Sequence, residues 1–267
     1  MDMSAYRLLP GEKPLDRIPS DGGFCAIFRT IACVGDSLSS GEFESTDEEG
    51  KSGYHDMFEY SWGQFIARMC GSKCYNFSRG GMTAIEYMES FAEANDFWNP
   101  DKAAEAYIIA MGCNDLFGRK QKVGRVEETA PDYKPDGEPT FAYWFGRMFN
   151  KLRSIQPKAR FFLMTMPVCP EDDEEHARLK TEHAELMRKI AWCNEYTYVI
   201  DLHEYGPAYD KQFHDEFYLG GHLNPMGYLL TAKMTAAYID YIIRSKPEDF
   251  AQIGFIGKPF HNMGAKW

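Results

Sequence analysis

Gly35-Asp36-Ser37 stands where an apolar, β-type run, Phe28 to Val34, comes to a stop. A buried strand ending in a tight glycine turn leaves Ser37 at the carboxyl edge of a sheet, where ligands and reactive groups of open α/β sheets collect. A serine there is a nucleophile if a base and oxyanion donors reach it, and a turn residue or helix N-cap if they do not. Three later stretches bear on that choice. Gly80-Gly81 follow a short β-type run, and a glycine N–H approaches a ligand with no side chain in the way. Asn114, in Gly112-Cys113-Asn114-Asp115, ends a third apolar run and offers an amide donor. His222, in Gly220-Gly221-His222-Leu223-Asn224-Pro225, precedes a long helical pattern and is the candidate base. The N–H groups of Ser37 and Gly81 with the side-chain amide of Asn114 make a candidate oxyanion hole, which stabilises charge developing on an attacked carbonyl. Singly, each residue has a structural reading: a glycine loop, an Asn-Asp turn, a loop histidine. Their order at successive strand ends joins them.

The elements that must position these residues follow from periodicity. Strands are expected at roughly 28–35, 73–77, 106–111, 159–166 and 196–202, the third apolar on both faces as a central parallel strand should be. Helical spacing covers 62–70, 82–95, 141–155, the stretch up to Asn194, and 225–244. Strands and helices alternate at least five times, which implies right-handed crossovers and one parallel sheet with helices on both faces. The stretch 38–53 reads as a polar, acidic, flexible loop leaving the active edge, followed by the aromatic residues Tyr54, Tyr60 and Trp62 as a candidate substrate rim. Residues 117–139 read as a long irregular insertion. The acidic run Glu171 to Glu175 reads as a helix start that complements the helix dipole rather than a metal site. Residues 1–27 form an irregular N-terminal arm with a short strand around Phe24 to Phe28, residues 246–267 a C-terminal tail, and the whole of 1–267 one domain.

The chain has 267 residues and a formal net charge of −11. That charge argues against nucleic acid and anionic membrane surfaces as partners, since both reward clustered Lys and Arg. The N-terminus lacks the basic and apolar regions of a signal peptide, and no apolar run is long enough to span a membrane. The seven cysteines are odd in number and scattered. Free thiols in a reducing cytoplasm are therefore the expectation. A phosphate-binding reading of Gly80-Gly81 lacks the six-residue spacing before Lys-Ser/Thr and lacks Gly-x-Gly-x-x-Gly.

Four blocks taken together resemble the SGNH, or GDSL, hydrolase family of serine esterases: Gly35-Asp36-Ser37, Asn76 to Thr83, Gly112-Cys113-Asn114-Asp115, and His222 with its following Pro225. The resemblance spans residues 33 to about 228. It implies a flavodoxin-like three-layer α/β/α sandwich around an about five-stranded parallel sheet. It also implies ester hydrolysis through an acyl-enzyme, with Ser37 and His222 catalytic, Ser37, Gly81 and Asn114 as the oxyanion hole, and no metal or organic cofactor. Asp36 is then a structural hydrogen-bonder. One departure stands out: members usually carry an Asp three residues before the histidine, and Leu219 occupies that place. Either a backbone carbonyl serves the histidine, or another acid does (Asp215, Glu216 or Asp201), or the site is impaired. The polar loops and aromatic rim suit a small-molecule ester, a short acyl group on a carbohydrate or another polar alcohol. A lipase or thioesterase with longer acyl groups, and a non-catalytic carbohydrate-binding protein on the same fold, are the alternatives. The oligomeric state is not legible.

Overall fold

The computed structural model describes residue 3 and residues 6–257. In chain order the strands are β1 (Thr30–Gly35), β2 (Glu42–Thr46), β3 (Ser52–Asp56), β4 (Lys73–Ser78), β5 (Ala106–Ala110), β6 (Arg160–Met164), β7 (Thr197–Ile200), β8 (Tyr218–Leu219) and β9 (His222–Leu223). The helices are α1 (Ser37–Ser40), α2 (Trp62–Cys70), α3 (Ala84–Glu86) running through a π-turn (Tyr87–Phe91) into α4 (Ala92–Ala94), α5 (Phe141–Ile155), α6 (Glu174–Cys193), α7 (Leu202–Tyr205), α8 (Lys211–Phe217), α9 (Pro225–Ser245) and α10 (Pro247–Phe250).

Five strands form one parallel sheet in the order β4-β1-β5-β6-β7. Counting sheet strands alone, this is the 2-1-3-4-5 order of flavodoxin-like folds, and its switch point lies between β1 and β5. The sheet is buried on both faces because its strands are apolar at consecutive positions. Ile31 and Cys33 of β1 join Ile108 and Phe162 in a core closed by α2 and α9. Ala32 and Val34 face the opposite way and join Ile109, Phe161 and Leu163 under α5 and α6. The helix α9 is buried nearly all round, which suits its even distribution of apolar residues. No helix among the described residues is long and apolar enough to cross a membrane.

Two expectations are corrected. The stretch after Ser37 is not a flexible loop: it forms α1 and the antiparallel hairpin β2–β3, with Glu44 opposite Tyr54. Glu42-Phe43-Glu44 alternates with period two. Phe43 is buried against Tyr60 and Tyr228, which leaves both glutamates on the other face. The arm makes no strand near Phe24; Gly23–Ile27 is a 3₁₀ turn, held by the Asp240 carboxylate, which accepts the Phe24 N–H at 2.8 Å. The insertion 117–139 is irregular but pinned. Buried Glu128 accepts the Thr140 hydroxyl at 2.5 Å, and the Thr129 carbonyl accepts Asn150 Nδ2 at 2.8 Å. Of the expected tail, residues 258–267 lie outside the described residues.

Candidate active site

Ser37 is the first residue of α1. Asp36 caps that helix by accepting the Leu38 N–H at 3.1 Å, and Gly41, at φ 83°, closes it. The amides of a first helical turn have no acceptor within their own helix and face outward from the sheet edge. Burial pushes the Asp36 carboxyl up to about 6, against the pull of the Leu38 amide. Asp36 therefore holds the turn and points away from solvent, as a structural hydrogen-bonder does.

The turn after β4 presents Gly81 with φ 71°, a left-handed conformation that suits glycine, while the Met82 N–H donates to the Arg79 carbonyl at 3.2 Å. Asn114 opens the π-turn after β5, and its Nδ2 donates to the Met82 carbonyl at 3.2 Å. Its neighbour Asp115 is fully buried and accepts the Ala84 N–H at 2.8 Å. Burial pushes the Asp115 carboxyl up to about 7. Adjacent side chains from one turn thus fasten it to the other, and bring Gly81 and Asn114 together beside the end of β1.

His222 lies on the two-stranded hairpin β8–β9, paired with Leu219 across the Gly220-Gly221 turn. Asn224 caps α9 behind it, accepting the Gly227 N–H at 3.0 Å, and Pro225 occupies the first helical turn. Helix α1 packs against both β2 and β9, so Ser37 and His222 share one corner of the sheet edge.

The acid candidates read from the sequence are engaged elsewhere. Asp215 pairs with Lys211 at 2.6 Å on exposed α8, and Glu216 accepts Gln212 Nε2 at 2.9 Å. Asp201 is buried, pairs with Arg188 at 2.6 Å, and accepts the Thr165 hydroxyl at 3.1 Å. Among the described residues, the carboxylates within ion-pair reach of His222 are Glu42, 3.9 Å from Nε2, and Glu44, 3.8 Å from Nδ1. Reading 38–53 as a loop concealed them. Their signal was the alternation around Phe43, which puts both on one face of a strand.

The aromatic rim divides. Tyr54 stands edge-on to the His222 ring, centroids 5.8 Å apart, and is exposed. Tyr60 is partly exposed and packs on Phe43. Trp62 is 1% exposed and so lies on no rim. It lines an apolar pocket of about 380 Å³ together with Leu38, Met111, Met164, Met166 and Leu223. Those residues adjoin the site at several points, since Leu38 follows Ser37 and Leu223 follows His222.

Comparison with known proteins follows the same lines. The GDSL-like Lipase/Acylhydrolase family matches residues 33–230. No curated protein matches the sequence. Among solved structures, the chain is similar to a family two carbohydrate esterase from Clostridium thermocellum in complex with cellohexaose (TM-score 0.57, 13% identity, 93% of this chain and 70% of that one). It is similar to a carbohydrate esterase family 2 enzyme with a carbohydrate-binding domain from Corynascus thermopiles (Myceliophthora fergusii) (TM-score 0.55, 15% identity, 88% and 69%). It is also similar to a possible lipase from Chitinophaga pinensis (TM-score 0.52, 16% identity, 82% and 98%). At such identities the likeness is one of fold.

Proposed function

The chain belongs to the GDSL-like lipase/acylhydrolase family and is a carboxylic ester hydrolase; we propose that it works through an acyl-enzyme on Ser37 and removes short acyl groups, acetyl above all, from a carbohydrate or another small polar alcohol. The observation that carries the mechanism is the convergence of α1, the Gly81 turn, the Asn114 turn and β9 at the switch point of the sheet. His222 takes the Ser37 proton as Oγ attacks the ester carbonyl. The amides of Ser37 and Gly81 and the Asn114 side chain hold the oxyanion. His222 then protonates the leaving alcohol, and water, deprotonated by the same histidine, releases the acid.

The polar alcohol is supported by exposed Tyr54 beside His222, a flat ring on which a sugar can lie, and by the Glu42 carboxylate beside the same imidazole. Two of the similar structures are carbohydrate esterases, which agrees with it. A second reading, a longer acyl chain, is favoured by the apolar pocket beside Leu38, which has more room than an acetyl group needs.

Mass spectrometry after exposure to a fluorophosphonate, alongside hydrolysis of p-nitrophenyl acetate, tests the mechanism. We expect an adduct on Ser37 and turnover, both lost in Ser37→Ala with the fold retained. No adduct and no turnover in the folded wild-type protein would leave a non-catalytic carbohydrate-binding protein. Acetyl and octanoyl esters then separate the two readings of the acyl group.

A further inference from the structure

We infer that Glu44, carried on the hairpin that follows the nucleophile, is the acid that positions and charges His222, in place of the aspartate absent at Leu219. The inference rests on the Ser37–His222 reading above. Leu219 is the cross-strand partner of His222 and is 48% exposed, so its side chain brings no carboxylate to the imidazole. His222 Nδ1 is buried and has no hydrogen-bond partner among the described residues. A catalytic imidazole needs an acceptor on that nitrogen to fix its tautomer, because the proton must sit on the nitrogen that does not face the serine.

Glu44 Oε2 lies 3.8 Å from Nδ1, and the same oxygen accepts the Gly221 N–H at 2.6 Å. The carboxylate is thus tethered to the backbone of the histidine's own turn. The turn is shaped for it: Gly220 has φ 66°, and a Cβ there would stand 2.5 Å from the Glu44 carboxylate. Hydrogen bonds of this kind are often long in an empty site and tighten around bound substrate.

Glu42 has a different place. It lies 3.9 Å from Nε2, and its carboxylate fills the space where a Gly80 side chain would be. The Nε2 edge of the ring therefore faces the turn that carries Gly81. On the Ser37–His222 reading, Nε2 is then the nitrogen that serves Ser37, and Nδ1 is left for Glu44. Other titratable groups on elements packed around the ring are Asp36 at the cap of α1, Tyr54 on β3, Tyr218 on β8 and Tyr228 on α9. None of them is an anion within ion-pair reach of His222; Glu42 and Glu44 are.

In the step itself the Ser37 hydroxyl proton moves to Nε2, the bond from Oγ to the carbonyl carbon forms as the carbonyl π pair moves onto its oxygen, and the imidazole becomes an imidazolium with its Nδ1 proton retained. Glu44 stays ionised and stabilises that cation. It is a positioning residue and does not touch the substrate.

The test compares wild type, Glu44→Gln and Glu44→Asp by kcat/KM for p-nitrophenyl acetate across pH. Glutamine keeps an oxygen for the Gly221 N–H, and equal urea midpoints would show that the fold is retained. We expect kcat in Glu44→Gln to fall by roughly tenfold or more with KM little changed. The acid limb of its kcat/KM profile should move to lower pH, because the imidazolium loses an anionic neighbour. Glu44→Asp should recover part of both. A Glu44→Gln enzyme with wild-type kcat and an unmoved acid limb would overturn the inference and leave a Ser–His dyad. Wild type that neither turns over nor takes the fluorophosphonate would sink the underlying mechanism, and this inference with it.

Discussion

Asn114 donates its side-chain amide to the carbonyl of Met82 at 3.2 Å, which ties the turn after β5 to the turn after β4. One amide proton is used in that tie, and an amide carries two. In the proposed mechanism the second serves the substrate oxyanion. Asn114→Ala removes both the tie and the donor. The expected outcome is a fall in kcat of about 10²–10³-fold with KM nearly constant. Steady-state kinetics on p-nitrophenyl acetate measure it, and an unchanged kcat would remove Asn114 from the oxyanion hole.

Ala110 ends β5 and lines the apolar pocket beside Leu38. Ala110→Leu thickens one wall without adding a polar atom. If the pocket receives the acyl chain, p-nitrophenyl octanoate should lose kcat/KM by about tenfold or more relative to the acetate, since each methylene in such a pocket counts for about 1–3 kcal/mol. An unaltered octanoate-to-acetate ratio would assign the pocket no part in acyl selection.

Asp115 is buried, and its carboxyl is pushed up to about 7 from an ordinary value near 3.8. The folded state therefore holds a proton that the unfolded chain releases at lower pH. Stability from this group is fully present below about 3.8 and is lost as pH rises through about 7. Asp115→Asn keeps an acceptor for the Ala84 N–H and cannot ionise. Its melting temperature should decline less than that of wild type between pH 4 and pH 7 in a thermal-melt series. Parallel curves for the two proteins would mean that Asp115 does not titrate in that window.

Arg244 links the N-terminal arm to the body of the fold. Its guanidinium is almost wholly buried, pairing with Glu12 of the arm at 2.6 Å and with Asp240 at 2.8 Å. Arg244→Met leaves two buried carboxylates without their cation. Breaking a buried ion pair from one side costs about 3–5 kcal/mol, and urea denaturation should show a loss of that order. A change well under 1 kcal/mol would mean that water reaches Glu12 and Asp240 once the arginine is gone.

The sheet was legible because its strands are apolar at consecutive positions and end in residues with turn chemistry. Burial on both faces leaves such a run few other structures. Ser37, Gly81 and Asn114 stand out as candidates for the same reason, each just past a strand whose apolar pattern is strong, and His222 stands out just before the helical pattern of α9. The hairpin β2–β3 was not legible as structure. Its residues are mostly polar, and the one buried side chain that sets its register, Phe43, counts only once Tyr60 and Tyr228 are in place around it.

The carboxylate beside His222 shows the division most sharply. Asp215, Glu216 and Asp201 were near in sequence or at the right edge, but each is turned to its own cation, amide or hydroxyl. Glu44 is 178 residues from His222 in the chain and 3.8 Å away in space. The sequence by itself determined the alternation of strands and helices that makes one parallel sheet, and marked Ser37, Gly81 and Asn114 as candidates at its strand ends, because local patterns of burial and turn residues dictate both. Which carboxylate faces the histidine was decided only by tertiary structure, since it depends on how a hairpin packs on a distant glycine turn, a contact with no local signature.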